Sequence, residues 1–342
     1  MKRLRVGALV GAVVLQAAVA LVSARQAGPP TAGAQAGSDV EVLQLRPNFY
    51  LIGGAGANIG VQVGEDGVVV LDSGAAGSSS AVLAAIRRIT SQPIRYVINT
   101  GPDDDHVGGN EAISKAGQTL LGTRVTGLPG GSGGFFGTGT APAGIIAIEG
   151  VLTRMSAAST QRPAYAVGGW PTETFDAGYK NLYLNGEGIE ILHQPAAHSD
   201  GDALVFFRRS DVIVAGDVLD TTRFPVINVA VGGSIQGELD ALNRLVQMAI
   251  PSVPIITREA GTSVIPGHGR VCDQFDVVFY RDMLTIIRDR VRELKGAGRT
   301  LDQVKAANPA EGYVGRYGST TGPWTTNNFI EAIYRSLPQV KS

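Results

Sequence analysis

The sequence predicts an α/β protein with two β-sheets and helices on their outer faces. Three observations point there. Short runs rich in Val, Ile and Leu, punctuated by Gly, Asn and Asp, recur from Val40 to Ile265. Longer segments with apolar residues at helical spacing lie between and after them. The two kinds of segment interleave in two similar halves, which fits layered sheets and helices.

The 342 residues are 44% hydrophobic and 17% charged, enough apolar side chain to bury a sizeable core, so disorder is not expected of the chain as a whole. The formal net charge of −1 leaves no basic excess to neutralise a phosphate backbone, and nucleic acid is not an expected partner. Lys2, Arg3 and Arg5 precede an apolar run over residues 6–22, and Val22-Ser23-Ala24 offers small residues for cleavage. Residues 1–24 therefore read as an export signal, which places the mature chain in the periplasm or medium with no stable membrane span. Residues 25–38, rich in Pro, Gly and Ala, read as a disordered linker to a domain spanning 39–342. The single cysteine, Cys272, allows no intramolecular disulfide and reads as a buried thiol.

Residues 40–45, 49–52, 59–63 and 67–71 are expected to form an antiparallel meander. A helix over 78–90 follows, with Val82, Ile86 and Ile89 on one face. Residues 94–98 read as a strand, 111–115 as a short helix and 149–157 as another helix. Residues 121–143 form a Gly-rich insertion, either a floppy surface loop or, from its place after the Asp-rich motif, a substrate flap. Strands are expected over 182–184, 189–193, 203–207, 212–215 and 262–265, with a helix over 237–249. The chain closes with a helical region over 276–342, its helices at 276–295, 301–307 and 326–336.

The chemistry concentrates at strand ends. Asp103-Asp104-Asp105-His106 crowds three carboxylates and an imidazole into a polar loop before Gly108-Gly109-Asn110, and a divalent cation is the economical way to hold them together. His198, Asp217 in Gly216-Asp217, and His268 in Pro266-Gly267-His268-Gly269 each follow a predicted strand, where loops of an α/β sheet converge. Of the four histidines, only His193 falls outside this set; it sits within a strand and reads as a partly buried histidine bonded to backbone. Asp104 reads as a solvated carboxylate. Asp200 and Asp202 could brace the loop around His198, and Trp170, Tyr313, Tyr317 and Trp324 could line a pocket mouth or pack in the core.

This ordered set resembles the metallo-β-lactamase superfamily, in particular its glyoxalase II-like hydrolase branch, over roughly Val40 to Leu337. The resemblance implies a four-layer αβ/βα sandwich with extra C-terminal helices, and two metal sites. Asp72 matches a supporting strand-end aspartate. Asp105, His106 and His268 match ligands of the second metal, His198 matches a ligand of the first, and Asp217 matches the bridge. Gly101 and Asp103 stand where the family has the first two histidines; Gly101 cannot ligate and Asp103 offers an oxygen on a shorter arm. The resemblance thus implies one firm metal and a weak second. Zn²⁺ suits the thiolate-free donor set, with Fe or Mn²⁺ as alternatives. Asp105 would orient a metal-activated hydroxide against an ester, thioester, lactone or amide of a small-molecule substrate. A periplasmic β-lactamase and a non-catalytic binding protein with a degenerate site remain as alternatives.

Overall fold

The computed structural model describes residues 40–120, 141–158, 163–176, 178–253 and 261–338. The segments expected to be an export signal (1–24) and a linker (25–38), and most of the Gly-rich insertion, lie outside the described residues. Strands β1 (Glu41–Arg46), β2 (Phe49–Ala55), β3 (Ala57–Gly64) and β4 (Gly67–Leu71) form the expected antiparallel meander. Helix α1 (Ser79–Ile89) crosses to β5 (Ile94–Ile98), parallel to β4. After α2 (Asp104–Val107) and α3 (Asn110–Lys115), β6 (Gly144–Ile148), α4 (Glu149–Ser156) and β7 (Glu173–Phe175) complete a seven-stranded sheet in the order β1 to β7.

The second sheet is β8 (Tyr179–Leu184), β9 (Glu187–Gln194), β10 (Asp202–Phe207) and β11 (Val212–Asp220), all antiparallel neighbours. Helix α5 (Ile235–Met248) then returns the chain to β12 (Ser263–His268), parallel to β11 at the sheet edge. The C-terminal helices are α6 (Gln274–Gly296), α7 (Leu301–Ala306), α8 (Val314–Tyr317) and α9 (Thr326–Ser336).

Alternation along the strands makes the layers. Val69 and Leu71 of β4 join Val212 and Val214 of β11 in a core between the sheets. Their neighbours Val68 and Val70 face the other way, into a core with Val82 and Ile86 of α1. Ile213 and Ala215 of β11 face Leu239 and Leu242 of α5 and Tyr280 and Leu284 of α6. Side chains two apart share a face, so a strand buried on both sides reads as an unbroken apolar run. Each such Val or Leu stabilises the fold by roughly 1.5–3 kcal/mol relative to exposure. Helix starts are sealed by Ser234, whose side chain accepts from the Gly237 N–H, and by a reciprocal capping box between Asp273 and Asp276.

Three local expectations change. Strands β6 and β7 were not anticipated. The Asp-rich stretch expected as a loop is the helical turn α2, in which the N–H groups of His106 and Val107 donate to the Asp103 carbonyl. Asp217 and His268 lie inside the ends of β11 and β12 rather than beyond them. No described helix is long and apolar enough to cross a membrane.

Candidate metal centre

The site begins where β4 ends. Asp72 is buried with φ of 61°, a left-handed conformation uncommon outside glycine. Its carboxylate accepts from the Thr100 N–H at 2.8 Å and the Thr100 hydroxyl at 2.6 Å. It also lies 2.8 Å from His106 Nδ1. An acceptor-only carboxylate requires Nδ1 to carry the proton, so the neutral ring presents a lone pair at Nε2. His198 is prepared in the same way, its Nδ1 donating to the Val226 carbonyl at 2.6 Å.

The motif glycines are close-approach positions. Gly216 has φ of +52°, and a Cβ there would lie 2.4 Å from Thr100 Oγ1. A Cβ at Gly267 would lie 2.6 Å from Asp217 Oδ1. Both glycines let β11 and β12 close around the carboxylate.

All six sequence-selected residues come together. Ligand atoms of Asp105, His106 and His268 lie within 4.8 Å of one another, as do those of Asp103, His198 and Asp217. Asp217 Oδ1 stands 3.2 Å from His106 Nε2 and 3.4 Å from His268 Nε2, joining the two groups. His268 Nε2 is 3.3 Å from Asp105 Oδ2, and His198 Nε2 is 2.9 Å from Asp103 Oδ2. Apart from these carboxylate contacts, the buried Nε2 atoms of His106 and His198 make no directed hydrogen bond among the described residues. Two imidazole lone pairs aimed at carboxylates are tolerable only with positive charge between them, and this donor set fits a divalent cation.

Without a cation, protons take that place. Burial opposes charge on His198, but Asp103, Asp202 and Asp217 outweigh it and push its pKa up to about 10. Burial likewise opposes charge on His268, which Asp105 and Asp217 raise to about 9. His106 is raised well above the usual imidazole range against burial, by Asp217 and Asp72. Asp217, against the same cost, is held well below the carboxylate range by His106, His268 and His198.

Nearby polar residues divide into braces and bystanders. Asp202 accepts from the Ser199 N–H at 2.6 Å and the Ser199 hydroxyl at 3.0 Å, bracing the loop that carries His198. Burial pushes its carboxyl up to about 6. Asp200 pairs instead with Arg154, and exposed Asp104 contacts the Tyr165 hydroxyl rather than water alone. His193 Nε2 lies 2.8 Å from the Asp200 carbonyl, outside the centre. Cys272 is a buried thiol, pushed up to about 12 by burial. Trp170 packs with the core between the sheets, while Tyr313, Tyr317 and Trp324 pack with the C-terminal helices; none lines the metal cleft. That cleft holds about 60 Å³ and is completed by Asp220, Arg223 and Val226, which no sequence motif marked. A larger cleft of about 980 Å³ lies at the opposite strand ends, around Arg46, Asp66 and Asn185, and contains none of the six.

The family model for the metallo-beta-lactamase superfamily matches residues 52–251, more than half of the chain. The chain belongs to the metallo-beta-lactamase superfamily. No curated protein is similar enough in sequence to match. Solved structures share the superfamily fold. A metallo-beta-lactamase from Pontibacter korlensis is 17% identical with a TM-score of 0.52, over 72% of this chain and 99% of that one. The metallo-beta-lactamase DIM-1 is 13% identical with a TM-score of 0.50, over 72% of this chain and 97% of that one. The stereoselective inverting sec-alkylsulfatase Pisa1 from Pseudomonas sp. is 15% identical with a TM-score of 0.58; the match covers 86% of this chain but 50% of the sulfatase.

Proposed function

We propose that this superfamily member is an exported metal-dependent hydrolase of a small-molecule ester, thioester, lactone or amide, akin to the glyoxalase II-like branch. The observation that carries the reading is the pair of buried imidazoles, His106 and His198, pinned at Nδ1 and each aiming Nε2 at a carboxylate, Asp217 at 3.2 Å and Asp103 at 2.9 Å. Asp105, His106, His268 and Asp217 would hold one firm cation, most simply Zn²⁺; His198, Asp217 and Asp103 would hold a weaker second. A bound zinc ion lowers the pKa of water to about 7 and polarises a carbonyl. Asp105 is the catalytic residue of this proposal: its carboxylate would help hold the cation, take a proton from the attacking water and return it to the leaving group.

Gly101 favours a second reading, a binding protein that has kept the pocket. Metal content and turnover separate the two. The hydrolase reading expects about one tightly held metal per purified chain and hydrolysis in a panel of thioesters, lactones, esters and β-lactams. A metal-free protein inert to the whole panel after zinc loading would leave the binding reading. Turnover confined to lactams would instead make it a β-lactamase.

A further inference from the structure

A smaller cavity, of about 240 Å³, lies between the end of β11 and the C-terminal helices and shares no lining residue with the metal cleft. Alternation along the chain separates the two. Asp220 lines the metal cleft, while Leu219 and Thr221 on either side of it line this cavity. Phe279 and Tyr280 of α6 and Arg316 and Tyr317 of α8 supply much of the remaining wall.

The rings in that wall are held from outside it. Tyr280 and Tyr317 are buried and meet edge to face, with centroids 5.6 Å apart. The Tyr280 hydroxyl donates to the Arg223 carbonyl at 3.2 Å, and the Tyr317 carbonyl accepts from the Phe224 N–H at 3.0 Å. The Phe224 ring stacks in turn on Phe329 of α9, with centroids 4.6 Å apart. Phe279 is different: it is 54% exposed, an aromatic ring that the core does not use.

The charges around the cavity do not balance. Arg270 and Asp276 satisfy each other through both terminal nitrogens and both carboxylate oxygens. Arg316 is the second guanidinium of the lining, and no second carboxylate answers it. Its side-chain nitrogens make no hydrogen bond or ion pair among the described residues. The guanidinium rests instead on two rings, 5.9 Å from the Phe279 centroid and 5.1 Å from that of Tyr317. Ring faces orient the planar cation and leave its N–H edge open, the geometry that takes a carboxylate at two points. The Tyr317 hydroxyl also lacks a bond among the described residues, and burial raises its pKa, so at neutral pH it stays a donor. Thr221 is already engaged, its hydroxyl donating to the His268 carbonyl at 3.3 Å and accepting from the Arg270 N–H at 3.2 Å.

We propose that this cavity is a second ligand site, separate from the metal cleft, for a small aromatic carboxylate whose ring packs among the aromatic side chains of α6 and α8 and whose carboxylate pairs with Arg316. The volume suits a single ring, since larger ligands occupy pockets of about 300–1,000 Å³. The site does not rest on the hydrolase reading, and binding to it is measured without turnover.

NMR titration of the purified full chain with benzoate, its uncharged counterpart benzamide, and acetate, which lacks the ring, tests the site. Benzoate is expected to bind about tenfold or more tightly than either. Arg316→Gln, at an exposed position, is expected to remove the preference for benzoate over benzamide while metal content and melting temperature hold. Arg316→Lys, which keeps the charge without the fork, is expected to fall between and serves if the glutamine variant does not fold. Phe279→Ala is expected to weaken benzoate about three- to tenfold and to leave acetate unchanged. Benzoate binding undiminished in Arg316→Gln would put the probe on the metal and overturn the site. Equal binding of benzoate and benzamide by the wild type would overturn it as well.

Discussion

The two candidate ligand groups of the centre are built to different standards. Asp105, His106 and His268 sit on α2 and β12, and His106 is fully buried and fastened at Nδ1 by Asp72. In the other group, His198 is equally well fastened, but its partner Asp103 is 45% exposed on an extended residue ahead of α2. Gly101 beside it contributes no side chain. The first group therefore offers two imidazoles with a carboxylate, and the second one imidazole with two carboxylates, one of them shared. Affinity follows the number of donors already held in place, because each donor that must be ordered on binding costs conformational entropy.

The comparison is broken most severely by His268→Ala. That variant is expected to lose the tight metal altogether, read as metal per chain after dialysis. Retention of stoichiometric metal would mean that the firm site is the other one.

Protonation gives the next largest effect, in metal-stripped protein. The folded pKa of His198, about 10, and of His268, about 9, exceed the ordinary 6.5. Their stabilisation is complete below about pH 6.5 and is lost as pH rises through 9 to 10. The depressed Asp217 acts oppositely, its contribution being present above its usual 3.8 and lost in acid. Stripped protein is expected to melt at falling temperature from pH 6.5 to 10, while zinc-loaded protein melts higher and declines less, since metal replaces the protons. Parallel melting curves for the two forms would remove the link between histidine charge and metal.

Asp72→Asn keeps the shape of the side chain but removes the charge behind His106. Tight-site affinity is expected to fall about 10- to 100-fold in a competition titration with a chelator. An unchanged affinity would show that His106 is oriented by its helix alone.

The weak group can also be strengthened. Among the described residues, a Cβ at Gly101 would meet only Asp202 Oδ1, at 3.6 Å, so a larger residue has room to start. The double variant Gly101→His with Asp103→His is expected to raise metal content from about one to about two per chain. Failure to gain the second metal would place the defect in the surrounding backbone. Asp103→Ala should have the smallest effect, weakening only the second metal and leaving the tight one within about twofold by the same titration.

Much of this was legible in the chain. The apolar spacing of α1 carries its own periodicity, and the Val-rich run of β4 is set off by turn residues Glu65-Asp66-Gly67 before it and Asp72-Ser73-Gly74 after it, so both elements could be read locally. Strand β6 could not, because its five residues follow a Gly-rich stretch with no alternation, and burial on both faces leaves a short apolar run without a period. The candidate ligand types and their order, with Gly101 and Asp103 where the resemblance implies histidines, are properties of the sequence alone. Tertiary structure decided which atoms meet: Asp72 with His106 across 34 positions, Val226 with His198 across 28, and Arg223 with the cleft. Those contacts depend on strand register and on where α6, α8 and α9 fasten the Arg223 segment. No local pattern encodes such placement, because the energy that sets it is shared among side chains far apart in the chain.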